Sequence, residues 1–124
     1  MPEQKNTILI IDDDARNIFA LNLVLKSKGY TCKSAAHASE GLQLLTDDPE
    51  IKLVLLDMMM PETDGYQLLE LIRNNEQLRQ IPVIAVTAQA MQGDREKCLA
   101  AGANEYISKP VNIDALVNII DKLL

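Results

Sequence analysis

The chain has 124 residues, the length of one ordinary domain, and 48% of them are hydrophobic, enough for a core. The formal net charge is −6, and the 12 Lys and Arg residues are scattered from Lys5 to Lys122, so no basic stripe neutralises phosphates along a duplex and direct nucleic-acid binding is argued against. No signal peptide and no apolar run of membrane-spanning length are present, and Cys32 and Cys98 stand far apart; a reduced, cytoplasmic setting away from membranes is expected, with both thiols packed as small hydrophobes.

Short apolar runs alternate with amphipathic stretches, without a repeat or a Pro-, Gly- or Ser-rich linker, so a single domain over 1–124 is expected. The first strand covers 8–11 and is followed by Asp12, Asp13 and Asp14. A helix is predicted over 15–28, capped by Asp14 and stopped by Gly29, with Ile18, Leu21, Val24 and Leu25 facing inward. A second strand covers 31–35. His37, the only histidine, excludes multi-histidine metal sites and reads as a loop or strand-end residue. Ser39 is the predicted cap of a helix through Leu45, which ends near the turn at Asp47, Asp48 and Pro49.

The most apolar strand spans 51–56, and Pro61, Glu62, Thr63, Asp64 and Gly65 read as a loop before a helix marked by Leu68, Leu69 and Ile72. Pro82 opens a strand over 83–86, a helix over 93–101 stops at Gly102, a short strand covers 105–107, and a last helix fills 113–124. Strands without clean polar alternation, separated by helix-length crossovers, predict an α/β fold: five parallel strands covered on both faces by five helices.

In such a sheet functional groups gather at the carboxyl ends of the strands. Those ends carry Asp12 and Asp13, then Asp57, then Thr87, and after the fifth strand Ser108, Lys109 and Pro110. Three converging carboxylates repel one another and would raise at least one pKa unless a cation sat among them. Hard oxygen ligands without nearby His or Cys select magnesium, or manganese in its place. Lys109 offers a point charge and Thr87 a hydrogen bond to phosphoryl oxygens, and the nucleophile would be a carboxylate forming an acyl phosphate. Each residue alone has a duller reading: an N-cap, a solvated charge, a β-forming threonine. Four strand ends that each carry what one reaction needs make the combination informative.

Across 7–124 the chain resembles the receiver domain of two-component response regulators. The matching pieces are Ile10, Ile11, Asp12 and Asp13; Leu55, Leu56, Asp57, Met58, Met59, Met60 and Pro61; Val86, Thr87 and Ala88; and Ser108, Lys109 and Pro110. The resemblance implies a flavodoxin-like doubly wound sheet of order 2-1-3-4-5 and phosphorylation of Asp57. It implies that Asp13 ligates magnesium directly, Asp12 largely through water, and the Met59 backbone carbonyl completes the protein ligands. Thr87 and Lys109 would hold the phosphoryl oxygens, and the Lys109–Pro110 bond would be cis. Switching would draw the Thr87 hydroxyl toward the phosphoryl group while Tyr106 turns inward. That would bias a protein-binding surface on the helix after Thr87, the last strand and the last helix. Tyr106 also reads as an ordinary half-buried strand tyrosine.

Met59 and Gln89 would flank the phosphoryl group. An apolar Met59 cannot orient an attacking water, so an aspartyl phosphate that is not unusually short-lived is expected. Met58 and Met60 read as packing residues. Phe19 and Leu23, one helical turn apart, read either as a docking surface for a histidine kinase or a histidine phosphotransfer domain or as core or neighbouring-helix packing. The stretch 14–21 and the run 90–101, including Gly93, Asp94, Arg95, Glu96, Lys97 and Cys98, look most like receivers of hybrid histidine kinases. Because the chain begins at Met1 and ends inside its last helix, a stand-alone receiver that binds a partner, a signalling phosphoacceptor and not an enzyme acting on other substrates, is the preferred reading.

Two other classes remain open. A magnesium-dependent phosphatase of the haloacid-dehalogenase type also uses a strand-end Asp, but it places a second Asp two residues later, where this chain has Met59. A flavodoxin-like electron carrier needs a hydroxyl- and glycine-rich loop after the first strand, where this chain has Asp12, Asp13 and Asp14.

Overall fold

The structure, a computed structural model, describes residues 7–60, 65–88 and 93–124. Strands and helices alternate as β1 (Thr7–Ile11), α1 (Ala15–Ser27), β2 (Thr31–Ala35), α2 (Ala38–Asp47) and β3 (Ile51–Asp57), then α3 (Gly65–Asn74), β4 (Val83–Thr87), α4 (Asp94–Ala100), β5 (Glu105–Ser108) and α5 (Ile113–Leu123). The five strands form one parallel sheet in the order β2-β1-β3-β4-β5. The order implied by the resemblance is therefore the observed one.

The three central strands β1, β3 and β4 look almost uniformly apolar in sequence because both faces of the sheet are covered there, whereas the edge strands β2 and β5 carry polar residues. Ile8 and Ile10 of β1, Leu53 and Leu55 of β3, and Ile84 and Val86 of β4 pack with Leu21 and Leu25 of α1 and Leu116 and Ile120 of α5. Their alternates Leu9, Ile11, Val54, Leu56, Val83 and Ala85 pack on the other face with Leu45 of α2, Leu68, Leu69 and Ile72 of α3, and Cys98 of α4. Successive side chains of a strand point to opposite faces, so each strand feeds two cores.

Local signals fix most boundaries. The Asp14 side chain caps α1 by accepting the Arg16 N–H at 2.9 Å. Gly29 and Gly102 stop α1 and α4 with φ of 97° and 117°, values that suit glycine. Of the predicted inward face, Leu21 and Leu25 are buried, whereas Ile18 and Val24 are partly so.

Three expectations shift. Helix α2 starts at Ala38 with His37 at the N-cap position, so Ser39 lies inside its first turn; the Glu40 carboxylate reaches back to accept the Ala36 N–H at 3.0 Å. Gly65 is the first residue of α3, not part of the preceding loop, and 61–64 lie outside the described residues. Cys98 is buried as expected, but Cys32 is only partly covered; burial still pushes its thiol up to about 11. Among the described residues no helix is long and apolar enough to cross a membrane.

Candidate functional site

At the carboxyl edge of the sheet, β1 and β3 lie side by side with Ile11 opposite Leu56, so the residues that follow them emerge together. Carboxylate oxygens of Asp12, Asp13 and Asp57 lie within 4.8 Å of one another. Lys109, delivered by the segment after β5, brings its Nζ to 3.4 Å from Asp12 Oδ2 and 3.5 Å from Asp57 Oδ2. The Lys109–Pro110 bond is cis, as expected. Asp12 and Asp57 are buried, whereas Asp13 is exposed.

Each buried carboxylate is held by backbone. Asp57 Oδ1 accepts the Met59 N–H at 2.9 Å, and Asp12 Oδ1 accepts the Asp14 N–H at 2.9 Å. Burial pushes the Asp57 carboxyl above its ordinary range; the Met59 N–H and Lys109 oppose this, and the Asp12 charge adds to it. For Lys109 burial works against the charged form, but Asp12 and Asp57 outweigh it and raise the pKa. The pocket thus carries three carboxylates against one ammonium, an uncompensated formal charge of −2. Three hard oxygen donors with no imidazole or thiolate beside them fit a small divalent cation.

Thr87 is buried at the end of β4, where its carbonyl accepts the Lys109 N–H at 2.7 Å and ties the lysine's main chain to that strand. Because Val86 pairs with Asp57, Thr87 lies one residue beyond the Asp57 carboxylate on the adjacent strand. Tyr106 pairs with Ala85 and packs on the same core as that residue, while Ser108 pairs with Thr87. Thr87 and Tyr106 therefore project from the same face, one strand apart and diagonal to each other. Burial raises the Tyr106 pKa, with Asp94 and Cys98 of α4 adding to it.

The Met59 side chain is 46% exposed, and Phe19 and Leu23 are 70% and 62% exposed. That excludes the core-packing reading of the α1 pair. Met58 and Met60 are buried, as packing residues should be. Gln89 and residues 90–92 lie outside the described residues.

Two residues near the pocket carry no signal that strand-end reasoning detects. Asn17, on α1, donates its Nδ2 to Asp12 Oδ2; only the knowledge that the first turn of α1 folds back over the end of β1 would single it out. At Gly65 a Cβ would sit 2.7 Å from Met58 Cα and 3.1 Å from the Asp57 carbonyl oxygen, so α3 approaches the end of β3 closely enough to require glycine.

A family model for the response regulator receiver domain matches residues 8–121. Among curated relatives, the polar-differentiation response regulator DivK of Brucella ovis is 33% identical over 119 residues, which is 95% of this chain and 95% of the relative. Among solved structures, a CheY-like response regulator receiver domain protein from Methanospirillum hungatei is 37% identical with a TM-score of 0.82, covering 95% of this chain and 93% of that one. The receiver domain of a sensor histidine kinase from Pseudomonas aeruginosa, with a magnesium ion coordinated in its active site cleft, is 34% identical with a TM-score of 0.86, covering 95% of this chain and 96% of that one.

Proposed function

Since this chain belongs to the response regulator receiver domain family, we propose that it is a single receiver domain that takes a phosphoryl group onto Asp57 from the phosphohistidine of a histidine kinase or a histidine phosphotransfer domain. The observation that carries the reading is the meeting of Asp12, Asp13 and Asp57 oxygens within 4.8 Å, with Lys109 reaching two of the three.

Asp13, Asp57 and the Met59 carbonyl would ligate magnesium directly, or manganese in its place, with Asp12 acting largely through water. When bound, the cation supplies charge neutralisation for the pocket and for the incoming phosphoryl oxygens. The chain's own residues do the rest. The Met59 N–H on Oδ1 and Lys109 beside Oδ2 hold the Asp57 carboxylate so that it cannot rotate freely. One carboxylate oxygen attacks phosphorus, the P–N bond of the donor breaks, and the imidazole leaves with the bonding pair and takes up a proton; the product is an acyl phosphate on Asp57. Lys109 and the Thr87 hydroxyl stabilise the phosphoryl oxygens. Met59, apolar and half exposed, orients no attacking water, so the acyl phosphate persists long enough to signal, and Met59→Asn is expected to change its rate of loss.

The readout would run through Thr87 and Tyr106, whose shared face and diagonal placement support coupled movement, to a protein-binding surface formed by α4, β5 and α5. The exposed Phe19 and Leu23 on α1 would serve as apolar contacts for the helical phosphodonor. A cytoplasmic setting suits this chemistry and the two free thiols.

Incubation with acetyl phosphate and magnesium, followed by intact mass measurement, tests the reading. One added phosphoryl group on the wild type, none with chelator and none on Asp57→Asn, is expected. Steady turnover of phosphate esters without an adduct would point instead to a phosphatase of the haloacid-dehalogenase type, and no adduct at all would refute phosphoacceptor chemistry.

A further inference from the structure

We propose that Asn17 is a positioning residue that fixes the Asp12 carboxylate and thereby makes the acidic pocket prefer magnesium over calcium; this rests on the reading of the pocket as a magnesium site. Asp12 is only 2% exposed, and its carboxylate is gripped at both oxygens by α1 and the residue that caps it. Oδ1 accepts the Asp14 N–H at 2.9 Å, and Oδ2 accepts the Asn17 side-chain amide at 2.5 Å. Its main chain is anchored separately, since the Asp12 N–H donates to the Ala35 carbonyl of β2 at 3.0 Å. At Asp57, Oδ1 accepts the Met59 N–H and Oδ2 accepts from Lys109.

The residue type matters as much as the place. A cation at position 17 would compete with the metal for Asp12, and a carboxylate there would add to a pocket already at −2. A neutral amide donates a hydrogen bond and leaves that charge for the ion to balance. Lys109 shares Oδ2 at 3.4 Å but sits on a flexible stem that the phosphoryl group would draw away. Asn17 stays with α1, whose cap and buried Leu21 and Leu25 lock it to the sheet.

Magnesium demands near-ideal octahedral geometry, whereas calcium accepts more ligands in a looser arrangement. Asp12 would act on the ion through its water ligands, and a carboxylate free to swing holds those waters off their octahedral positions, which costs magnesium more than calcium. Outer hydrogen bonds that orient ligands typically change metal affinity 10- to 100-fold.

The test is calorimetric titration of the full chain with magnesium chloride and, separately, calcium chloride, for wild type, Asn17→Ala and Asn17→Leu. The second variant removes the donor while nearly preserving volume, and melting in chelator confirms that each is folded. Magnesium affinity is expected to fall about tenfold or more in both variants and calcium affinity by less than about threefold, so that the ratio collapses. Unchanged magnesium affinity, or equal losses for the two ions, overturns the role of Asn17. A wild type that binds neither ion overturns the metal reading of the pocket itself.

Discussion

Asp57→Asn is expected to stabilise the metal-free protein by about 1 to 3 kcal/mol while abolishing phosphorylation. The ionised Asp57 carboxylate is 3% exposed, lies no more than 4.8 Å from Asp12 and sits 3.5 Å from Lys109. At an effective dielectric constant of about 20, the repulsion from Asp12 amounts to about 3.5 kcal/mol and the attraction to Lys109 to about 4.7 kcal/mol; exposed Asp13, equally near but screened by water, adds about 1 kcal/mol of repulsion, so the pairwise terms largely cancel. What remains is the cost of burying a carboxylate, several kcal/mol, consistent with burial as the leading cause of its raised pKa. An amide in its place keeps an oxygen for the Met59 N–H and presents a donor toward Asp12, at the loss of the long 3.5 Å bond from Lys109 to Oδ2. Urea denaturation and thermal melting in chelator, at neutral pH and low salt, should show the gain, with a midpoint about 4 to 12 °C higher. Magnesium at about a hundred times its dissociation constant should then stabilise the wild type by about 2.7 kcal/mol and the variant by less, narrowing or inverting the order. If the variant is less stable than wild type in chelator by more than about 1 kcal/mol, the pocket is not a store of uncompensated charge and the reasoning fails.

Arg73 is a half-buried cation with no carboxylate partner among its described contacts: it donates to the carbonyls of Gly102, Arg79 and Ile81 and to Asn104 Oδ1, at 2.7 to 2.9 Å. Arg73→Ala should cost about 2 to 4 kcal/mol in urea denaturation and Arg73→Lys nearly as much, because only the planar fork reaches the 79–81 and 102–104 segments at once; a loss under about 0.5 kcal/mol would contradict this account. The Tyr30 hydroxyl donates to Asp121 Oδ1 at 2.9 Å, and burial pushes its pKa from 10.0 up to about 12. A raised acid stabilises the fold below the unfolded value and loses that contribution as pH climbs through the folded one, so wild-type stability should fall between pH 10 and about 12. Tyr30→Phe should be less stable than wild type at neutral pH by about 1 to 2 kcal/mol, and the gap should close over that alkaline window in equilibrium unfolding.

Most elements were legible because their signals are local. The Asp14 cap, the Gly29 and Gly102 stops and the apolar runs act within a few residues, and the observed bounds match the expected ones to within about a turn. The exceptions are local conflicts. Ser39 competes with a helix start that Glu40 secures by reaching back to Ala36, and Gly65 looks like loop until the approach to Met58 is known. The orientation of Phe19 and Leu23 was open in the sequence, because exposure on a helix flank depends on which neighbour covers it.

The sequence by itself determined the alternation of strands and helices and which chemical groups stand at the strand ends, since hydrophobic period, caps and breakers are read over a few residues. Tertiary structure alone decided which ends become neighbours: β1 beside β3 brings Asp12 and Asp13 to Asp57, and the turn after β5 delivers Lys109. The grip of Asn17 on Asp12 and the clamp of Arg73 belong to that level too. Such contacts join segments whose separation along the chain says nothing of their distance in space, so they exist only after the sheet has assembled and the helices have packed on it.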